Sequence, residues 1–122
     1  MIFGNGIDIT NVDRLKKAIE SSDSFKYKVF TKKEIDYCEN LKASYQSYSG
    51  RFAAKEAFLK ALGIGLAEGI CFTDIEILND DTGKPYINLY NQAEIIFKNK
   101  RLLNIFLSIS HENEYAVACV II

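Results

Sequence analysis

A chain of 122 residues and 13.8 kDa is long enough for one domain with its own core. Its composition, 48% hydrophobic and 25% charged with a net charge of −1, is that of an ordinary globular protein and carries no overall nucleic-acid footprint. The longest unbroken apolar run, Tyr115 to Ile122, is too short to span a membrane, and the N-terminus "MIFGNGIDIT" has neither a basic leader nor a signal-length apolar stretch, so a cytoplasmic protein is expected.

In chain order, "IFGNGIDI" at residues 2–9 reads as a strand, with Phe3, Asn5, Ile7 and Ile9 on one side and Ile2, Gly4, Gly6 and Asp8 on the other. Asp8 shares its face with two glycines, which predicts room beside its carboxylate for a hydrated metal or a phosphate. The competing reading is an Asp that only hydrogen-bonds the following turn or helix start. Thr10 is the expected N-cap of a first helix, with Asp13 in a capping-box-like position and Val12, Leu15, Ala18 and Ile19 as its apolar stripe. From Arg14 to Lys33, seven basic residues stand against only Glu20 and Asp23. That stretch is either a solvated helix face or an attractor for an acidic partner. "TKKE" at Thr31 opens a second short helix with a capping box.

The spacing predicts a long central helix over Ala43 to Leu62, with Gly63 as its left-handed C-cap. Within "RFAAKEAFLKALGIG", Arg51 and Lys55 share one narrow sector, Glu56 and Lys60 share another, and apolar side chains fill nearly everything between. One 122-residue domain cannot easily cover such a helix, so part of its surface is expected at an interface with another subunit. Glu56 and Lys60 have the spacing of an exposed i,i+4 pair, worth only about 0.3–0.5 kcal/mol. Their apolar surround favours a second reading, in which both line a polar cleft, the carboxylate holding Mg²⁺ and the ammonium neutralising phosphate. Mg²⁺ typically takes one or two protein carboxylates, which Asp8 and Glu56 would supply. Gly65 and Gly69 could admit close approach of a ligand, but "GIGLAEG" lacks the order of a P-loop.

The second half is β-rich. "FTDIEILND" and "PYINLY" flank the turn-forming "DDTGK", "NQAEIIFKNK" suits a short helix, and "IFLSISHE" and "EYAVACVII" are two strands joined at Glu112 to Glu114. Ser108 and Ser110 fall on one side of their strand and His111 on the other. A Ser/His nucleophile pair is disfavoured there, since no G-x-S-x-G elbow is present. The expected order is β-α-α-α-β-β-α-β-β: an α+β domain whose mostly antiparallel sheet packs against the long central helix. Cys38, Cys71 and Cys119 are widely spaced with no C-x-x-C, and His111 is the only histidine. Neither a disulfide framework nor a transition-metal site is indicated, and any metal would be held by oxygen.

Together these pieces resemble the 4′-phosphopantetheinyl transferases, and most closely the short holo-acyl-carrier-protein synthases. "GID" at Gly6 to Asp8 matches the first motif of that superfamily, and "FAAKEAFLK" matches the second, an aromatic followed by Lys-Glu and a later lysine. "GIDITNVDRL", "GRFAAKEAFLKALGIG", "TGKP" and "SISHENEYAVA" extend the likeness along nearly the whole chain; Asn5, where relatives carry a hydrophobic residue, departs from it. By the alternation above Asn5 faces away from Asp8, so a packing or interface consequence is expected there and not loss of metal binding.

The resemblance implies transfer of the phosphopantetheine arm of coenzyme A to a serine of an apo-acyl carrier protein, releasing adenosine 3′,5′-bisphosphate, in support of fatty acid biosynthesis. Asp8 and Glu56 would then bind Mg²⁺, and Lys60 would steady charge growing on the leaving phosphate. The serine proton would go to Glu56 or to a water on the metal. Arg51, Gly65, Pro85, Ser108 and His111 would contact the nucleotide and its 3′-phosphate, and Arg14 with its neighbours would meet the acidic carrier protein. It further implies a homotrimer with active sites between subunits. Two other classes remain open: a non-catalytic trimer that binds acidic partners, and a Mg²⁺-dependent phosphate hydrolase.

Overall fold

A computed structural model describes residues 1–122. The opening strand, β1, covers Asn5–Asn11. Gly6 and Thr10 are buried on its inner side and Asp8 is half-buried, whereas Ile7 and Ile9 project from the outer side, each 63% exposed. Asn11, not Thr10, caps helix α1 (Val12–Ser21), its side chain accepting the Arg14 N–H at 2.9 Å. Thr10 stays in the strand, and Asp13 pairs with Lys17 at 3.0 Å instead of completing a capping box.

A helix that the pattern did not predict follows, α2 (Asp23–Val29). Its seven residues, "DSFKYKV", are too few to show a helical period, and no side chain caps it. The "TKKE" capping box is realised in full at the start of α3 (Lys32–Glu39): Thr31 and Glu34 satisfy each other's backbone N–H groups.

The long helix, α4 (Ser44–Leu62), ends where expected at Gly63, whose φ of 77° is open to glycine at little cost. One side of α4 packs on a three-stranded antiparallel sheet of order β1-β5-β4, with β4 at Phe106–His111 and β5 at Tyr115–Ile121. There Ala53, Ala54, Ala57, Phe58, Ala61 and Leu62 join Leu107, Ala118 and Val120 in the main core. The same core takes in the separate hairpin of β2 (Ile75–Asn79) and β3 (Pro85–Leu89) and helix α5 (Asn91–Asn99). On the opposite side Tyr48 of α4 joins Leu15, Ile19, Val29, Phe30 and Ile35 from the first three helices. The architecture is α+β as expected, although the strands divide into two antiparallel sheets and Phe72–Asp74, expected as strand, forms a 3₁₀ turn. No helix is long and apolar enough to cross a membrane.

Two expectations change. The apolar girth of α4 is covered by its own chain, because three helices and the hairpin wrap the sides that the sheet leaves open. The apolar surface left to solvent is instead the outer face of the sheet, where Ile7 and Ile9 of β1 flank Val117 and Cys119 of β5, with Phe106 on β4 62% exposed. Asn5 lies on that same outer face, opposite Ile121, as its departure from the family pattern suggested. Nor do Gly4, just before β1, and Gly6 within it leave free room: a Cβ on Gly4 would overlap the carbonyl of Ala61, and one on Gly6 the carbonyl of Ala57. They let the backbone of α4 lie directly on β1, which fixes the distance between the two elements that carry Asp8, Glu56 and Lys60.

The Arg51–Lys55 sector faces inward. Lys55 is fully buried, and its ammonium donates to the Val29 carbonyl at 2.6 Å, to Glu34 Oε1 at 2.7 Å and to the Phe72 carbonyl at 3.0 Å. Glu34, equally buried, also accepts from the Thr31 and Ile77 backbone N–H groups at 2.9 Å each. Every donor of one partner and both oxygens of the other are thereby engaged, the condition under which a buried ion pair is tolerable.

Candidate active site

Asp8 stands on the inner face of β1, one pleat beyond Gly6, and Glu56 and Lys60 stand one turn apart on α4. Because Gly6 brings the strand onto the helix, Lys60 Nζ reaches Asp8 Oδ1 at 3.1 Å and the Ile7 carbonyl at 3.0 Å. The other carboxylate oxygen, Asp8 Oδ2, accepts from the Thr10 hydroxyl at 3.2 Å. The i,i+4 ion pair that the spacing of Glu56 and Lys60 allows, and that their apolar surround disfavoured, does not form; the ammonium is drawn across to Asp8. Asp8 also does not cap the helix, a task that falls to Asn11.

Glu56 is left without a hydrogen bond. Burial pushes its pKa up, the neighbouring Asp8 charge adds to the rise, and Lys60 offsets part of it. A half-buried carboxylate with no donor, next to a second carboxylate, is a group that gains from a cation. Two carboxylates are also the set that Mg²⁺ takes when water and phosphate complete its shell, and no group of three or more acidic, Cys or His ligands exists elsewhere in the chain. The residues present therefore fit a hydrated Mg²⁺ at Asp8 and Glu56.

These two carboxylates border a cleft of about 330 Å³ whose other walls are Arg14, Leu15 and Ala18 of α1, Phe25 of α2 and Phe52 of α4. Arg14, expected only as a contact to the carrier protein, thus lines the same cleft as the acidic pair. The aromatic wall was not legible, because α2 itself was not, and Phe25 and Phe52 pack ring to ring with centroids 6.4 Å apart.

The remaining candidates lie elsewhere. Arg51, Pro85 and His111 line a second cleft, of about 340 Å³, together with Tyr37, Lys42 and Asn79. Arg51 is nearly buried, donates to Ser47 at 2.9 Å and to Asn79 at 2.5 Å, and lies over the Tyr37 ring at 4.3 Å. Its Nε is buried with no partner, an orphan donor in the wall of the cleft. Ser108 projects from the opposite face of β4 into a groove with Pro85 and Tyr86. Gly65 sits in the loop after α4 with an extended backbone, and a Cβ there would meet nothing within 4 Å. Asp8, Glu56, Lys60 and Arg14 therefore come together, while Arg51, Pro85 and His111 form a second group and Ser108 and Gly65 join neither.

Comparison with known proteins identifies the family. The family model of the 4′-phosphopantetheinyl transferase superfamily matches residues 4–120. A holo-[acyl-carrier-protein] synthase of Geobacter sp. (strain M21) is 46% identical over 123 residues, covering all of this chain and 98% of that protein. Among solved structures, a holo-(acyl-carrier-protein) synthase of Bacillus anthracis in complex with CoA (3′,5′-ADP) superposes with a TM-score of 0.81 at 38% identity, over 99% of this chain and 96% of that one. The Neisseria meningitidis holo-[acyl-carrier-protein] synthase gives a TM-score of 0.91 at 29% identity, over 99% and 98%. With one family model spanning almost its whole length and a relative of this identity aligned end to end, the chain is a member of the 4′-phosphopantetheinyl transferase superfamily.

Proposed function

We propose that this enzyme transfers 4′-phosphopantetheine from coenzyme A to a serine of an apo-acyl carrier protein, with Mg²⁺ held by Asp8 and Glu56, in the cytoplasmic supply of holo carrier protein for fatty acid synthesis. The observation that carries the reading is the unpartnered, half-buried Glu56 beside Asp8 and Lys60, at the end of a cleft edged by Arg14. The serine oxygen attacks the pyrophosphate phosphorus that bears pantetheine, the bond to the bridging oxygen breaks, and adenosine 3′,5′-bisphosphate leaves. When bound, the cation supplies neutralisation of the pyrophosphate charge. Lys60 steadies the leaving phosphate, and a Glu56 oxygen that the cation leaves free takes the serine proton. Arg14 and the basic run that follows it on α1 and α2 attract an acidic carrier protein, whose apolar side chains fit the Phe25–Phe52 wall.

The nucleotide end of coenzyme A belongs in the second cleft, whose wall carries the Arg51 guanidinium and the side chain of His111. Because the two clefts lie apart in one chain, the reading includes a homotrimer in which one subunit's nucleotide cleft adjoins the next subunit's Asp8 and Glu56. The exposed outer sheet face with Ile7, Ile9 and Phe106 is the surface suited to that contact.

The test is mass spectrometry of an apo carrier protein incubated with the enzyme, coenzyme A and Mg²⁺. One serine should gain the phosphopantetheine mass, and Asp8→Ala and Glu56→Ala should each abolish the gain while keeping the native circular dichroism. Release of free phosphopantetheine without carrier protein would identify a hydrolase, and near-normal transfer by either variant would remove the metal assignment.

A further inference from the structure

In the metal-free chain both oxygens of Asp8 already have partners, Lys60 Nζ at Oδ1 and the Thr10 hydroxyl at Oδ2, whereas Glu56 has none. Lys60 is additionally tied to the Ile7 carbonyl, so its ammonium is docked over the β1 edge and not extended into solvent. The side chain is 55% exposed and Asp8 only 17%, so the lysine can swing away while the aspartate cannot.

We propose that Lys60 is the resident counter-cation of Asp8, a charge that a divalent ion must displace before Asp8 can serve as its ligand. The inference rests on the metal assignment of Asp8 and Glu56 made above. It gives Lys60 two successive partners: Asp8 Oδ1 while the metal is absent, and the donor's phosphate oxygens once the metal holds Asp8. Its hydrogen bonds to Asp8 and to Ile7 hold the ammonium against the strand and leave only one N–H for any phosphate oxygen, so full engagement of the donor requires release from Asp8. Glu56, free of any partner, is then the group that meets an incoming cation first.

The ion pair with Asp8 is partly exposed and the ammonium repels a neighbouring divalent charge, so removing it should tighten metal binding roughly threefold to tenfold. Mn²⁺ binding to the metal-free enzyme, read by electron paramagnetic resonance without coenzyme A or carrier protein, tests this. Lys60→Met is expected to bind Mn²⁺ several-fold more tightly than the native enzyme although it transfers poorly. In an Asp8→Asn background the same substitution is expected to give a much smaller gain, because the charge that Lys60 pairs with is already absent.

Equal or weaker Mn²⁺ binding by Lys60→Met would overturn the proposal. So would an undiminished gain in the Asp8→Asn background, which would mark simple charge repulsion. A crystal of the native enzyme soaked with Mn²⁺ gives the direct readout: Lys60 Nζ should have left Asp8 Oδ1, and a metal bound with that contact intact would refute the displacement. Failure of the native enzyme to bind Mn²⁺ through Asp8 and Glu56 would instead remove the metal assignment itself, so the two failures are distinguishable.

Discussion

Replacing Lys55 by methionine tests the internal strut on which the site is mounted. The substitution keeps the length and the apolar stem but deletes an ammonium that holds Glu34, the end of α2 through Val29, and the turn before β2 through Phe72. Glu34 would remain fully buried with only the Thr31 and Ile77 N–H groups to hold its charge, and two carbonyls would lose a donor. Breaking one side of such a pair costs about 3–5 kcal/mol. A domain of this size has a total stability of about 5–15 kcal/mol, so the variant should be folded but marginal. With a urea slope of about 1–3 kcal/mol per M, a loss of about 4 kcal/mol lowers the unfolding midpoint by roughly 1–4 M. Urea titration followed by circular dichroism measures this. Adding Glu34→Gln removes the stranded charge and keeps an acceptor for one of the two N–H groups, so the double variant should recover part of the loss. A cost below about 1 kcal/mol for Lys55→Met, or a double variant showing the plain sum of the two single losses, would refute the strut.

Glu56→Gln should stabilise the metal-free protein at neutral pH, by less than about 1 kcal/mol given partial exposure. Its carboxyl has a folded pKa raised above the unfolded one, so the native state favours its protonated form. Native Glu56 thus costs stability above that window, the cost fades as pH falls through it, and the advantage of Gln in thermal melts should fade with it. Gly6→Ala drives a methyl into the Ala57 carbonyl and must lift β1 from α4, at about 1–3 kcal/mol of stability. Its kcat should fall further than its melting temperature suggests, because Asp8 moves away from Glu56. Ile7→Glu puts a charge on the β1 edge of the exposed sheet face, and for the trimer proposed above sedimentation should show a smaller oligomer with reduced transfer and an unchanged monomer fold.

What was readable in the sequence followed from local rules. The α3 capping box, the Gly63 C-cap and the turn at Glu112 to Glu114 depend on residues within four positions of one another, and each appears as expected. The acidic pair was readable because a carboxylate beside glycines and another amid alanines are both anomalies of pattern. Partner choice was not. Lys60 has the i,i+4 spacing to pair with Glu56, nothing in the sequence directs it to Asp8, 52 positions away, and the close packing at Gly6 and Ala57 decides for Asp8. Lys55 and Glu34 carry no sign of burial in their types, since both are ordinary surface residues, and their partnership spans 21 positions. The short α2 and its Phe25 were hidden for want of a period.

The same packing explains why the apolar girth of α4 misled. Ala53, Ala54, Ala57 and Ala61 are small, so the neighbours they admit lie close and cover the apolar sides of the helix within one chain. A helix lined by large side chains would have held the sheet and the first helices further off and left gaps for a partner. Alanine on α4 and glycine on β1 are therefore two halves of one device: together they let backbone meet backbone where the site is built. The exposed hydrophobic surface is consequently displaced from α4 to the far side of the sheet, where β1 presents Ile7 and Ile9 while turning Asp8 inward. Strand alternation thus links two properties of β1, since a one-residue register shift would bury the isoleucines and carry Asp8 out of reach of Glu56 and Lys60.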